Sequence, residues 1–440
     1  MNLIFGFLLL IIQVILIFGT GIVIYPEMYF LPWLVHKGLI PYRDFFDHHG
    51  FFLYYLLAPL TFDKSFLLLK FAYLFIQSVN LLLVLLILKK ITNKIGYFTG
   101  GALYVLINFF VMENIIWYEA YIVTLYLFVY LLLIVKKFKY KPHLLGFLIA
   151  LCSFIKPVAA IILLPVLIFN KNLRIILFFL LSWIAVLIYF LSKGSLIQFL
   201  EYNFTYNWFI NKELVFSYSY WPKYTFFVII ISVITFYISS KSKKIKVFFL
   251  PVTFFLCSLI FLQSTYFSAH FLPLSIFFTV MVACAIKYNR SINKYLYLGL
   301  VLIFVIYLLK IDIQQYLKFN SPQRIPWLED KKINSVINGL QKLNIGDKKI
   351  YIFDNHPEIY MALNQLPPTY FPVKFLVDNK YFYNYEERII DELKNNNVFY
   401  VIFPEEISWE YKDLKKIEKY IHEKYALLKN FEGYQLLARP

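Results

Sequence analysis

Long apolar runs separated by short polar segments occupy the first 310 residues of the chain. A bilayer core about 30 Å thick needs roughly 20 apolar residues as helix, because lipid offers the backbone no hydrogen-bond partner. Runs of this kind predict membrane spans at 3–24, 65–88, 95–112, 118–135, 172–192, 224–240, 247–263, 270–286 and 295–310. A further apolar stretch at 143–169 is interrupted by Lys156-Pro157, and we expect a short helical hairpin there. The sequence thus predicts a polytopic α-helical membrane protein with about 11 transmembrane elements.

The pattern changes after residue 310 to the periodicity of a soluble α/β fold. A proline-containing linker at 311–328 precedes short apolar runs that alternate with helical segments. We predict helices at 329–344, after Pro357, at 384–395 and at 412–425, and strands at 349–353, at 398–403 and in the last residues. This alternation favours a small α/β domain at 329–440, following a membrane domain at 1–310.

The distribution of charge predicts the orientation of the spans. The chain carries 43 Lys and Arg residues against 26 Asp and Glu residues, and the whole excess of +17 lies in the first 310 residues. Alternate loops hold 16 basic residues and no acid, and all eight acids of this region lie in the other loops. Loops rich in Lys and Arg stay in the cytoplasm. We therefore expect a multi-pass plasma (inner) membrane protein with a cytoplasmic N-terminus, an extracytoplasmic C-terminal domain and no nucleic-acid partner.

Composition narrows the class of protein further. Hydrophobic residues make up 60% of the chain and charged residues 16%, against about 25% charged in soluble domains, which excludes an ordinary soluble enzyme. The three cysteines lie in apolar runs, so the predicted exported domain has none for disulfides. The sequence contains no G-x-G-x-x-G or Walker pattern, and so gives no sign of a phosphate-binding loop.

The predicted first outer loop, residues 25–64, concentrates the candidate chemistry. It holds four of the eight acids of the membrane part. Pro26 suits the first turn of a helix and Gly38 suits its C-terminal end, which places Glu27 in the first turn, where the helix dipole favours a carboxylate. Such a group accepts a proton from a substrate hydroxyl within hydrogen-bond reach. From these features alone, Glu27 is either a general base or the acidic cap of a surface helix.

Several motifs resemble the integral-membrane glycosyltransferases of the GT-C fold, in particular bacterial relatives of protein mannosyltransferases and aminoarabinose transferases. That family has an acidic D-E-type motif after the first span and then a G-x-x-P-Y-R-D-F-F-x-H-H stretch, to which residues 38–49 are similar. Glu119, Lys156-Pro157 and His270 extend the resemblance over about 300 residues. Where the acidic motif has Asp, this chain has Pro26, so Glu27 is the acid that is left.

The resemblance implies an inverting enzyme that moves a hexosyl or pentosyl group from a polyprenyl-phosphate donor to an acceptor hydroxyl at the outer face. The acceptor is a lipid, a glycan or a protein, and membrane lipids surround the site. We expect Glu27 to be the catalytic base, with Asp44 as the second candidate. The groups expected to bind the donor phosphate and its lipid carrier are Arg43, Lys70, Lys156 and His270. The residues expected at the substrates are Tyr29, Tyr42, Asp47, His48, His49 and Glu119.

Some of these residues also have simpler interpretations. A lysine inside a membrane segment marks a candidate functional site, yet the Lys70 amine is also placed to reach the lipid headgroups. Snorkelling does not explain Lys156 as well, because the helix breaks beside it. The aromatic residues of the predicted outer loop at 193–223 suit either an interfacial belt or a lid that stacks on sugars.

A metal site is the alternative for His48 and His49, which lie beside Asp44 and Asp47. Adjacent histidines point to opposite sides of a strand and diverge by about 100° in a helix, so both rarely reach one ion. We therefore expect no metal and no other cofactor.

Two other functions remain open on this sequence. One is a ligase, polymerase or flippase for lipid-linked glycans, and the other is a catalytically degenerate membrane scaffold. Ion-coupled transport is disfavoured, because no acid lies in the middle of a predicted span.

Overall fold

The computed structural model describes residues 2–20, 22–62, 66–112, 115–135, 138–214, 245–262, 268–288, 299, 331–343, 345–374, 378–408 and 411–440. The predicted span at 224–240 and the predicted linker at 311–328 lie outside these residues, and so does the predicted span at 295–310 except for residue 299. The chain divides into two compact units. The first comprises Met1–Val23, Lys70–Tyr189 and Leu214–Arg324, and the second comprises Ile24–Leu69, Phe190–Glu213 and Ile325–Pro440.

Helices dominate the described chain. They are α1 (Asn2–Thr20), α2 (Pro26–His36), α3 (Phe52–Leu57), α4 (Leu67–Ile91), α5 (Lys94–Met112), α6 (Tyr118–Ile134), α7 (Lys141–Ile155), α8 (Leu163–Asn170), α9 (Arg174–Ser192), α10 (Leu196–Leu200), α11 (Asn207–Leu214), α12 (Ile245–Ser258), α13 (Leu272–Tyr288), α14 (Lys331–Lys342), α15 (Glu358–Leu363), α16 (Asp378–Tyr381), α17 (Tyr385–Asn395) and α18 (Lys415–Lys424). The strands are β1 (Val23–Ile24), β2 (Ile115–Ile116), β3 (Ile350–Ile352), β4 (Tyr400–Pro404), β5 (Ala426–Phe431) and β6 (Tyr434–Ala438).

The apolar runs of the described residues form helices where the sequence predicts spans. Helices α1, α4, α5, α6, α9, α12 and α13 match seven predicted spans with end differences of a few residues. Within the described ranges, three helices are long and apolar enough to cross a membrane, at Leu67–Ile91, Arg174–Ser192 and Ala269–Lys287. The length and apolar composition of these helices are those of membrane-spanning helices. The total of about 11 transmembrane elements stays a prediction.

The predicted interruption at Lys156-Pro157 is confirmed. Helix α7 ends at Ile155, Lys156 is extended with φ −144° and ψ 121°, and a 3-10 helix follows at Pro157–Ile162 before α8. Proline cannot continue the α-helical hydrogen bonding and also disfavours helical geometry in the residue before it. The hairpin arrangement of the two arms stays a prediction.

Helices α5 and α13 of the first unit approach closely because two glycines face one alanine. A Cβ atom on Gly96 would lie 2.6 Å from the backbone oxygen of Ala283, and one on Gly100 would lie 2.9 Å from the Ala283 Cβ. Small residues four positions apart allow two membrane helices to pack backbone to backbone. The spacing of Gly96 and Gly100 therefore sets the distance between these two helices.

The second unit contains a four-stranded mixed sheet with the strand order β3-β4-β6-β5. Strand β3 pairs parallel with β4, and β4 pairs antiparallel with β6 with Val401 opposite Leu437. Helices α14, α17 and α18 bury apolar residues at helical spacing, such as Ile417 and Ile421 of α18. The helices and strands predicted after residue 328 are therefore confirmed, with ends that differ by a few residues.

Residues from the predicted outer loops also belong to the core of this second unit. Phe46 is 1% exposed and packs against Tyr202, Tyr206 and Phe382, with ring centroids 4.9 to 5.1 Å apart. The hydroxyl of Tyr206 donates a hydrogen bond to Asp378. Tyr202 and Tyr206 both lie in the π-helical turn Glu201–Tyr206 and are buried. Neither an interfacial belt nor a sugar-stacking lid therefore describes these two positions.

Candidate functional site

Glu27 lies in the first turn of α2, as the sequence predicts. The helix begins at Pro26 and ends at His36, and the Gly38 N–H donates to the Val35 carbonyl oxygen over 2.9 Å. Gly38 has a φ of +90°, which a residue without a Cβ adopts without strain. Local sequence signals thus place Glu27, which is half-buried, in the first turn of a helix, where the helix dipole favours the carboxylate form.

Tyr29 connects α2 to residues more than 300 positions away. Its hydroxyl donates to Glu358 Oε2 over 3.0 Å, and the other oxygen of Glu358 lies 2.8 Å from His356 Nδ1. Burial, the charge of Glu358 and then that of Glu27 raise the pKa of Tyr29 well above its usual value. Tyr29 therefore stays protonated and acts as a hydrogen-bond donor beside the first turn of α2.

Asp44 closes a tight turn with both of its carboxylate oxygens. Oδ2 accepts the Ile40 N–H over 2.7 Å, and the Arg43 guanidinium donates to Oδ1 and Oδ2 over 2.8 Å each. Burial raises the pKa of Asp44, but the hydrogen bonds from Arg43 and Ile40 and the Arg43 charge outweigh it, so that this pKa lies below its usual value. Both oxygens are thus committed to the turn, and the Arg43 charge is partly neutralised.

Tyr42 is fully buried and fixes the backbone of the histidine pair. Its φ of +68° is strained for a residue with a side chain. The hydroxyl donates to the His49 carbonyl oxygen over 2.6 Å, and the Tyr370 hydroxyl donates to the Tyr42 carbonyl oxygen over 2.5 Å. The ring packs against Phe190 and Phe199. The contacts of Tyr42 therefore position the residues around it.

Asp47, His48 and His49 lie together, contrary to the divergence expected of adjacent histidines. The two imidazole centroids are 4.0 Å apart, and Asp47 Oδ1 lies 2.8 Å from His49 Nδ1 and 3.9 Å from His48 Nδ1. This expectation was wrong because residues 46–50 form neither a strand nor a helix. One ligand atom from each residue lies within 4.8 Å of the other two, so this trio could hold a metal ion.

Charge controls the ionisation of Asp47 in this trio. Asp47 is completely buried, which raises its pKa, but the charge and hydrogen bond of His49 and the charge of His48 lower it below its usual value. The His49 N–H also donates to Asp47 Oδ1 over 2.6 Å. Asp47 is therefore an anion at neutral pH, held between two imidazoles.

A second polar cluster forms in the first unit from Glu119, Lys156 and His270. Lys156 Nζ lies 2.5 Å from Glu119 Oε1 and 3.3 Å from His270 Nε2, and His270 Nε2 lies 3.5 Å from the same Glu119 oxygen. Glu119 is fully buried in the first turn of α6, and Lys156 retains 18% of its side-chain exposure. Among the described residues, the other Glu119 oxygen, Oε2, has no hydrogen-bond partner. The structure thus brings together three predicted residues from three distant segments.

Lys70 takes no part in this cluster. It lies half-buried near the start of α4, and no described residue forms a hydrogen bond or ion pair with it. Snorkelling and phosphate binding both stay open for its amine.

Several contacts at these sites are not predictable from the sequence. Glu358 and His356 follow a predicted strand with no motif around them, and Asn207, which donates to the His48 carbonyl oxygen over 2.7 Å, lies in a helix of ordinary composition. The local signal for the Glu358 contact is that His356 and Glu358 flank Pro357 in the loop after β3. Loops that follow strands often carry functional side chains.

No protein-family model matches the chain, and no curated protein matches it in sequence. Solved structures do match it. The archaeal oligosaccharyltransferase AglB from Archaeoglobus fulgidus, in complex with an inhibitory peptide and a dolichol-phosphate, aligns with a TM-score of 0.57 and 11% identity over 98% of this chain and 74% of that chain. The Archaeoglobus fulgidus oligosaccharyltransferase in complex with Zn and sulfate aligns with a TM-score of 0.55 and 11% identity over 99% of this chain and 73% of that one.

The apo form of the same archaeal enzyme aligns with a TM-score of 0.52 and 13% identity over 92% of this chain and 69% of that chain. Identity at this level shows a shared fold and nothing finer. The resemblance to mannosyltransferases and aminoarabinose transferases stays a prediction. The chain has the GT-C fold of the archaeal oligosaccharyltransferases.

Proposed function

We propose that this chain is an inverting membrane glycosyltransferase that moves a sugar from a polyprenyl-phosphate donor to an acceptor hydroxyl at the outer face of the plasma membrane. The observation that carries the proposal is the likeness to oligosaccharyltransferases over 98% of the chain. One of those structures holds a dolichol-phosphate, which is a lipid carrier of the proposed chemical class. The finer kinship, to mannosyltransferases or aminoarabinose transferases, is part of the same proposal.

In this proposal Glu27 removes the proton from the acceptor hydroxyl. Its place in the first turn of α2 favours the carboxylate form, which is the form that accepts a proton, and the residue is half-buried. Asp44 is the weaker candidate, because Arg43 and the Ile40 N–H already occupy both of its oxygens. Its part is then to hold the turn that follows α2.

Lys156 and His270 are the proposed partners of the donor phosphate. A leaving phosphate needs fixed cations or donors, and these two groups lie 3.3 Å apart at a helix break. Glu119 holds the Lys156 amine in place through the 2.5 Å contact. Arg43 and Lys70 are further candidates for the same phosphate, and Tyr29, Tyr42, Asp47, His48 and His49 for the substrates. Residues 1–310 would then be the membrane domain, and 329–440 an extracytoplasmic domain.

The test is sugar transfer by the purified chain in vesicles with a polyprenyl-phosphate sugar. Glu27→Gln keeps the shape of the side chain but removes the base, and we expect turnover to fall by about 10²- to 10⁴-fold with donor binding unchanged. Glu406→Gln changes an exposed carboxylate of the same unit and should retain full activity. Asp44→Asn should lower stability more than turnover. Turnover of Glu27→Gln near that of the unaltered chain would exclude Glu27 as the base.

A second candidate function is transfer of a whole lipid-linked oligosaccharide. The matched structures are of oligosaccharyltransferases, and one of them holds a peptide, which favours this alternative over a flippase or a scaffold. The same vesicles supplied with a lipid-linked oligosaccharide and a peptide acceptor distinguish the two. If neither donor is consumed by the folded chain, the chain is not a glycosyltransferase of either kind.

A further inference from the structure

We propose that Asp47, His48 and His49 form a binding site for a divalent transition-metal ion of the Zn²⁺ type. The ligand atoms of the three side chains all lie within 4.8 Å of one another. Within the described ranges, no other group of three or more His, Cys, Asp or Glu residues has this geometry. The trio combines two imidazoles and one carboxylate, which is a donor set found at catalytic zinc sites.

The backbone of this segment is fixed so that both imidazoles lie on one side. Tyr42 donates its hydroxyl to the His49 carbonyl oxygen, and Asn207 donates its amide to the His48 carbonyl oxygen. Asp47 Oδ1 accepts the His49 N–H over 2.6 Å. Three contacts thus hold two consecutive residues, and a preorganised shell of this kind is what a metal site requires.

The distances are compatible with one bound ion after small side-chain rotations. In a tetrahedral site with Zn–N and Zn–O bonds of about 2.0–2.1 Å, neighbouring donor atoms lie roughly 3.4 Å apart. Asp47 Oδ1 lies 2.8 Å from His49 Nδ1 and 3.9 Å from His48 Nδ1, on either side of that value. Rotations of the imidazoles about their side-chain bonds supply the remaining adjustment.

Burial and charge also favour a cation here. Imidazoles bind a metal in their neutral form, and beside neutral imidazoles the completely buried Asp47 carboxylate needs a compensating charge. The His48 and His49 side chains keep 13% and 11% of their exposure, so the two imidazoles are not fully enclosed. A divalent ion neutralises the carboxylate and leaves a net positive charge.

The donor set selects among ions. Imidazole nitrogen suits Zn²⁺, Cu²⁺, Fe²⁺ and Ni²⁺, whereas Ca²⁺ and Mg²⁺ prefer oxygen ligands throughout. Three protein ligands leave the fourth position of a zinc site open for an exogenous oxygen. Whether that oxygen belongs to the donor phosphate rests on the proposed function, but the ion site itself does not.

The experiment measures metal per chain without any sugar transfer. The full chain is purified in detergent with a histidine-free tag, stripped with a chelator, dialysed against ZnCl₂ and desalted, and its zinc is counted by mass spectrometry. We expect about one Zn²⁺ per unaltered chain, in line with a three-ligand site. Asp47→Asn, His48→Asn and His49→Asn should each weaken binding at least about tenfold, since even losing a group that only orients a ligand costs that much. His36→Asn, at an exposed histidine of α2, should bind as the unaltered chain does.

Two results would overturn the site. One is zinc binding by the His48 and His49 variants as tight as that of His36→Asn, and the other is no stoichiometric zinc in the folded, unaltered chain. X-ray absorption at the zinc edge of the unaltered chain needs no variant, and should show two imidazoles and only N/O ligands. A chain that binds zinc here yet transfers no sugar would refute the proposed function alone.

Discussion

Lys156 lies beside a fully buried carboxylate, and this determines what its removal does. Lys156→Met removes the 2.5 Å ion-pair partner of the fully buried Glu119, which should lower the free energy of unfolding by about 3–5 kcal/mol. The double variant Glu119→Gln with Lys156→Met removes both charges and should recover most of that loss. Thermal unfolding in detergent measures both. Lys89→Met, at an exposed lysine of α4, should be close to neutral.

Donor binding separates a structural role of Lys156 from a functional one. Losing a hydrogen bond to a charged phosphate costs about 1.5–3 kcal/mol, or roughly a ten- to hundredfold weaker affinity. The double variant should therefore regain stability but not affinity for a polyprenyl phosphate. If it regains both, Lys156 serves only as the counter-charge of Glu119, and its proposed role at the donor phosphate is wrong.

At the scale of single residues, sequence reasoning succeeds where the signal is local. Pro26 and Gly38 set the two ends of α2, and thereby place Glu27, because each acts through its own backbone geometry. The partner of Tyr29 is Glu358, 329 positions away, and no local pattern encodes that pairing. The divergence expected of His48 and His49 was wrong for a related reason. It assumed a regular backbone, whereas Tyr42 and Asn207 hold an irregular one.

The contact between α5 and α13 gives a prediction at the scale of elements. Gly96→Ala would place a Cβ 2.6 Å from the Ala283 backbone oxygen, and this atom cannot move away unless a helix shifts. We expect a loss of about 1–3 kcal/mol in the free energy of unfolding, as in other overpacked cores. Thermal unfolding in detergent checks it.

Gly6→Ala in α1 is the matched control for this change. The nearest atom to its added Cβ would be a Leu85 methyl at 3.4 Å, which is an ordinary contact. Alanine also favours helix over glycine by up to about 1 kcal/mol, so this variant should be neutral or slightly more stable. Equal stability of the Gly96 and Gly6 variants would show that the close approach of α5 and α13 is not required.

Elements are the scale at which the sequence is most informative. Apolar length locates the helices of the described spans, and proline explains the interruption after α7, because both effects are local. The π-helical turn at Glu201–Tyr206 is missed, since its tyrosines read as surface aromatics until Phe46 and Asp378 are seen to enclose them.

For the whole molecule, composition and contacts divide the chain differently. Composition changes near residue 310, where long apolar runs give way to soluble periodicity. The contacts within the folded chain instead place three segments in one compact unit, namely Ile24–Leu69, Phe190–Glu213 and Ile325–Pro440. Contacts such as that of the Tyr370 hydroxyl with the Tyr42 carbonyl oxygen produce this grouping, and they form only after the chain has folded.

Charge predicts the orientation of the whole molecule in its membrane, and thiol labelling tests it. The loop that contains Lys139 carries four lysines and no acid, so it should stay in the cytoplasm, while Tyr383 in the C-terminal region should face outside. In a chain whose three cysteines are replaced by alanine, Tyr383→Cys should react with an impermeant maleimide on intact cells. Lys139→Cys should react only after the membrane is opened.

Both positions are exposed, Tyr383 at 96%, so a failure to react reports a membrane barrier rather than burial. Labelling of both variants in detergent is the control. The reverse pattern, with Lys139→Cys reacting on intact cells, would contradict the orientation. It would also place the Tyr383 region in the cytoplasm and remove the basis for an outward-facing reaction, since the side of the membrane is inferred from charge alone.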